Sequence, residues 1–149
     1  MNSILWFIML VLAAPFSPGF AQAAECLPYP GAVLDKPMSA KATQVARDTG
    51  SAEDVTVYTT PDVFEKVAAF YKKVGTEYQA AWTKLARKLP DGRDIKVKVF
   101  LLDKADDLAD SKQWVQVQYP FIGDVEMVGT TLRYKDVRNV TCITYTFLK

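Results

Sequence analysis

The sequence predicts an α+β domain: an antiparallel sheet of about five strands with two amphipathic helices packed on one face. Two observations carry that expectation. Residues 95–101, 114–119 and 140–148 alternate apolar and polar side chains with the period of half-buried strands. Residues 63–74 instead repeat apolar side chains at helical spacing.

The 149 residues are half hydrophobic and 23% charged, with a net charge of +1 and no histidine. Such a mixture excludes a disordered, collagen-like or disulfide-dense chain. The balanced charge argues against a general nucleic-acid binder. Without histidine, the commonest general base and the commonest zinc ligand are missing.

The first 23 residues carry no charged side chain, and Ile4 to Ala14 is an unbroken apolar run. A membrane-spanning helix needs about 20 apolar residues, so this run is short, and Pro15 and Pro18-Gly19 stop it. It matches the apolar region of a signal peptide, with Ala21-Gln22-Ala23 as the cleavage pattern. Residues 1–23 are therefore read as a signal peptide and 24–149 as one domain, exported to a periplasm or secreted, without a transmembrane segment. The rival reading is an uncleaved anchor, since Met1-Asn2-Ser3 lacks Lys or Arg. Glu25 before Cys26 argues against lipidation, which needs a small residue there.

Export gives the two cysteines a meaning. In an oxidising compartment the one possible pairing is Cys26 with Cys142, idealised at about 4–5 kcal/mol for so long a loop. Two free thiols are the alternative, but there is no Cys-x-x-Cys.

Along the mature chain, Pro28, Pro30, Gly31 and Pro37 mark an extended lead-in, with Tyr29-Pro30-Gly31-Ala32 a turn that sets Tyr29 on the core. Ala42 to Asp48 reads as a strand, paired across Thr49-Gly50-Ser51 with a clearer one from Asp54 to Thr59. The first helix has Thr60 as N-cap, Pro61 at its first position, and Val63, Val67, Phe70 and Val74 as its stripe, widened by Phe64, Ala68 and Tyr71. Gly75 ends it. The second helix follows from the capping box Thr76-Glu77-Tyr78-Gln79, with Tyr78, Trp82, Leu85 and Leu89 facing the core until Pro90-Asp91-Gly92. Then come a strand over Ile95 to Leu101, a short helix over Asp103 to Asp110, and a strand from Trp114 that Pro120 ends. A strand over Leu132 to Lys135 turns near Arg138-Asn139 into Val140 to Leu148, where Ile143, Tyr145 and Phe147 share one face and Cys142, Thr144 and Thr146 the other.

The chemistry in these elements is sparse. Asp103, Asp106, Asp107 and Asp110 would line one side of a helix, where calcium is conceivable but a solvated acidic helix start is the plainer reading. Residues 66–98 carry a local charge of +6 and 103–126 one of −4, which could steer an anionic partner or merely keep the domain soluble. No Ser-His or Cys-His pair, phosphate loop or marked carboxylate pair is present, so no catalytic residue, cofactor or metal ligand is assigned. Trp114, Gln116 and Gln118 suit stacking and hydrogen bonding to a glycan or peptide. With Lys96, Lys98 and Phe100 they make the candidate binding face, on the polar side of the sheet.

Val55-Thr56-Val57-Tyr58-Thr59-Thr60 and Val67-Ala68-Ala69-Phe70-Tyr71-Lys72-Lys73, behind Tyr29-Pro30-Gly31-Ala32, carry a resemblance over about a third of the mature chain. They resemble small exported bacterial proteins of unknown function with a Tyr-Pro-Gly-Ala lead-in and a strand–helix ending in Phe-Tyr-Lys. The resemblance implies a bacterial, periplasmic setting and packing roles for Tyr29, Phe70 and Tyr71, and brings no catalytic set. The expectation is a non-catalytic domain that binds a protein or cell-envelope component. The alternatives are a carboxylate-dependent hydrolase of an envelope polymer and a small-molecule carrier with a pocket between helices and sheet.

Overall fold

The computed structural model describes residues 28–51, 53–84 and 87–148. Cys26 and residues 1–23, read above as a signal peptide, lie outside the described residues, and so does the expected pairing of Cys26 with Cys142. The turn at Tyr29-Pro30-Gly31-Ala32 forms as expected: the Ala32 N–H donates to the Tyr29 carbonyl at 3.0 Å, and Gly31 has φ +79°. Proline at the second and glycine at the third position are what such a turn requires. The turn delivers Tyr29 edge-on to Phe70, with ring centroids 5.3 Å apart.

Among the described residues, nine strands and two α-helices follow. In chain order they are β1 (Val33–Leu34), α1 (Lys36–Asp48), β2 (Glu53–Thr60), α2 (Phe64–Val74), β3 (Thr76–Tyr78), β4 (Arg87–Lys88), β5 (Asp94–Leu101), β6 (Gln113–Tyr119), β7 (Phe121–Val128), β8 (Thr131–Arg138) and β9 (Thr141–Leu148). Seven strands form one antiparallel sheet in the order β1-β2-β9-β6-β5-β3, with β4 also on β5; β7 and β8 form a separate hairpin. The class is the expected α+β, but the sheet has seven strands rather than five, and the hairpin is additional.

The helices also differ from expectation. The segment read as a strand over Ala42 to Asp48 is the second half of α1. Asp35 caps it by accepting from the Met38 N–H at 3.1 Å, and Pro37 sits in its first turn. The helix lies along the open edge of β2 beyond the short β1. The Ser39 hydroxyl accepts from the Val57 N–H at 2.8 Å, while Thr43 Oγ1 accepts from the Val55 N–H at 3.1 Å and donates to its carbonyl at 3.0 Å. Two hydroxyls one helical turn apart thus stand in for a neighbouring strand, which is one way to blunt a sheet edge.

The segment read as the second helix is an edge strand split in two. Thr76–Tyr78 pairs with Val99 to Leu101, Arg87–Lys88 pairs with Asp94 and Ile95, and a single 3₁₀ turn at Ala81–Lys84 lies between them. Local capping chemistry lost to the unpaired backbone of β5, whose amides would otherwise have no partner. Gly75 sits at that switch from α2 to β3. A Cβ there would stand 2.7 Å from the Leu101 carbonyl oxygen, so only glycine fits. Residues 103–110 form turns instead of a helix; Asp103 closes that loop by accepting from Ser111 Oγ at 2.9 Å and the Lys112 N–H at 2.5 Å.

The helices cover opposite faces of the sheet rather than one. Phe64, Val67, Ala68 and Tyr71 of α2 pack on Phe100, Val115, Val117, Ile143 and Tyr145. The centre of its apolar stripe is therefore rotated from the one expected, since Val63 and Val74 are exposed. On the other face, Met38 and Ala42 of α1 meet Val55, Val57, Phe121 and Cys142.

Candidate functional site

Strand register decides the fate of the candidate binding face. Lys98 lies opposite Val117 and Phe100 opposite Val115, whereas Gln116 is opposite Val99 and Gln118 opposite Val97. Directly paired residues share a face. Lys96, Lys98 and Phe100 therefore lie on the α2 side, and Trp114, Gln116 and Gln118 on the α1 side. The six residues do not form one surface.

The α2-side trio is structural. Phe100 is fully buried beneath α2. Lys96 pairs with Glu65 at 2.5 Å and its ammonium stands 5.9 Å from the Phe64 ring centroid, while Lys98 pairs with Glu77 at 2.9 Å. The pairing of Lys96 with Glu65 holds the Glu65 carboxyl below its ordinary range and raises Lys96, the hydrogen bond between them being the main cause. Five of the nine basic residues over 66–98 thus pair with acids: besides Lys96 and Lys98, Lys66 on Asp62, Lys88 on Asp94 and Arg93 on Asp91.

On the other face, Gln116 and Gln118 are half-buried on the floor of a cleft of about 200 Å³, beside Ile95 and Val97. The Gln116 amide nitrogen donates to Gln118 Oε1, and the Gln118 amide nitrogen to the Pro120 carbonyl, each at 3.3 Å. This aligns the two amides as a short ladder. Trp114 is on the same face one residue pair beyond the cleft lining.

Two segments outside the floor complete the cleft. Trp82, from the 3₁₀ turn that interrupts the edge strand, and Arg87, from β4, supply one side. Trp82 was expected in the core of a helix; it is 38% exposed. Ile122 and Val125 of β7 and Tyr134 of β8 supply the other side. The hairpin is held in place from α1: Lys41 Nζ lies 3.2 Å from Asp124 and 3.3 Å from the Gly123 carbonyl, and Arg138 joins the α1 cap residue Asp35 at 2.9 Å while stacking 3.5 Å over Phe121. The salt link to Lys41 lowers the Asp124 carboxyl. The missed residues Trp82, Arg87 and Tyr134 are thus placed by a strand read as helix and by a hairpin of which only part of β8 was anticipated.

A larger hollow, about 410 Å³, lies beside α2 between Tyr29, Phe70, Lys66 and Lys73. Three of its polar groups, those of Tyr29, Asp62 and Lys66, are committed to one another. The Tyr29 hydroxyl donates to Asp62 at 2.6 Å and Lys66 pairs with the same carboxylate at 2.9 Å. These bonds lower Asp62, and they raise Lys66 and Tyr29. This strut ties the lead-in to α2.

Cys142 is buried on the α1 side, its Sγ 3.7 Å from Thr144 Oγ1, and burial pushes the thiol up to about 11. Among the described residues no three acidic or cysteine side chains converge as a metal site, and no helix is long and apolar enough to cross a membrane. Compared with known proteins, the chain matches no family model, no curated protein and no solved structure.

Proposed function

We propose that the chain is a non-catalytic exported domain, periplasmic or secreted, that binds a protein or other component of the cell envelope through the cleft floored by Gln116 and Gln118. The observation that carries this reading is the lining itself: paired amides on an apolar floor, flanked by an indole, a phenol and a guanidinium. Convergent polar groups among apolar walls are the usual composition of a binding site. Among the described residues the cleft lining contains no Asp, Glu, Ser, Thr or Cys, so it offers no carboxylate acid or base and no serine, threonine or cysteine nucleophile. The uncharged leader and the resemblance to small exported bacterial proteins support the setting, and the Cys26–Cys142 bridge belongs to the same proposal.

Co-sedimentation of the purified chain with isolated envelope material tests it. The wild-type chain is expected to pellet with the envelope, and Trp82→Ala combined with Gln116→Ala to stay in solution while remaining folded. Equal pelleting of both proteins, or of neither, contradicts the assignment.

A further inference from the structure

The cleft also says what kind of ligand it takes. β6 is paired on both sides, by β5 and β9, and β5 by β6 on one side and by β3 and β4 on the other, except across Lys96 to Lys98, where the 3₁₀ turn interrupts the edge strand. A peptide added as an extra strand needs a run of free backbone N–H and C=O groups, and this floor offers only that three-residue gap, closed at both ends by β3 and β4. Recognition must therefore run through side chains. Beyond the bonds to each other and to Pro120, the two adjacent amides keep one N–H donor each, the Gln116 carbonyl oxygen and a second lone pair on Gln118 Oε1, a set suited to vicinal hydroxyls. Trp82 and Tyr134 come from separate segments and present aromatic surface to the apolar face of a ring. At about 200 Å³ the space is smaller than the roughly 300–1,000 Å³ of sites that enclose drug-sized ligands. It holds one ring, with the remainder of a chain outside.

Arg87 adds a charge preference. Its exposed guanidinium borders the cleft and has no carboxylate partner among the described residues, unlike Arg47, Arg93, Arg133 and Arg138. Among the described residues the lining has no acidic side chain to balance it. A planar guanidinium matches a carboxylate in two-pronged geometry.

We infer that the cleft binds a single sugar ring bearing a carboxylate, as a residue of an acidic saccharide: Gln116 and Gln118 on its hydroxyls, Trp82 and Tyr134 against its apolar surface, Arg87 on its carboxylate. This rests on the reading of the cleft as the binding site.

The test is a titration of the isotope-labelled full chain, followed by the side-chain amide signals of Gln116 and Gln118 and the indole N–H of Trp82. The probes are a uronic-acid disaccharide, its carboxyl-reduced neutral counterpart, an acidic tripeptide and solubilised envelope fragments. The uronic disaccharide is expected to move all three signals and to bind about tenfold more tightly than the neutral sugar, as one charge-assisted contact allows. Arg87→Gln should erase that preference while leaving neutral-sugar binding intact, and Trp82→Ala should weaken both sugars. Equal affinity for the two sugars overturns the assignment of Arg87. Response to the tripeptide but not the sugars, or to envelope fragments alone, overturns the saccharide inference and leaves the cleft as the binding site. No response to any probe, fragments included, removes both.

Discussion

Replacing Thr43 with valine isolates the device that closes the β2 edge. Valine keeps the shape and the β-branch but loses the hydroxyl that accepts from the Val55 N–H at 3.1 Å and donates to the Val55 carbonyl at 3.0 Å. Each buried group left unpaired costs about 1–3 kcal/mol. Thr43 and Val55 are only half-buried, so water recovers part of the loss. The expected total is roughly 1–3 kcal/mol, with Ser39→Ala acting similarly through Val57. Urea unfolding followed by circular dichroism should show a lower midpoint at an unchanged slope. Hydrogen exchange at Val55 should quicken more than at the amides of β6. Gln44→Ala, on the exposed side of α1, should shift stability by less than about 0.5 kcal/mol. Unchanged stability and unchanged Val55 exchange in Thr43→Val would refute the idea that α1 substitutes for a strand.

Three further outcomes follow from burial, register and ionisation. Phe100→Ala, which empties a fully buried site beneath α2, should cost roughly 3–5 kcal/mol in denaturant unfolding. Lys96→Ala should barely change stability and should leave envelope binding at the wild-type level, because Lys96 is on the sheet face opposite the cleft; lost binding would show that the α2 side takes part. In the reduced chain, the Cys142 thiol keeps its proton up to about 11 when folded but ionises near 9.0 when unfolded. Its contribution is therefore complete below pH 9 and lost as pH rises toward 11, at most about 3 kcal/mol for two units. Cys142→Ala should flatten that decline. Oxidation should do so too if Cys26 is bridged to Cys142, and an oxidised chain with an unchanged profile speaks against the bridge.

The strands β2, β5, β6 and β9 were legible because their side chains alternate in character along the sequence, as Ile143, Tyr145 and Phe147 do against Cys142, Thr144 and Thr146. α2 was legible from its periodicity, though the sheet beneath chose Phe64, Ala68 and Tyr71 rather than Val63 and Val74 as its centre. α1 went unseen because its contact with β2 is made largely by Ser39 and Thr43, whose polar side chains leave little apolar period. The segment Thr76-Glu77-Tyr78-Gln79 carries honest helix-start chemistry, and only the distant need of β5 for a partner overrides it. β7 hides behind Gly123 and Asp124, which interrupt its alternation.

The candidate site was half legible for a related reason. Alternation sorts residues within a strand, but it does not say which set on one strand joins which set on the next. A shift of one residue exchanges the two faces, and the pairing of Lys98 with Val117 is what separates Lys96, Lys98 and Phe100 from Gln116 and Gln118. Trp82, Arg87 and Tyr134 reach those glutamines only through tertiary structure.

The most direct measurement is a residue-by-residue map of amide signals in the full chain as solubilised envelope fragments are added. Shifts concentrated at Trp82, Gln116, Gln118 and Tyr134, with Lys96, Lys98 and Phe100 unmoved, are the expected result. Shifts confined to the α2 side, or none anywhere, would contradict the account.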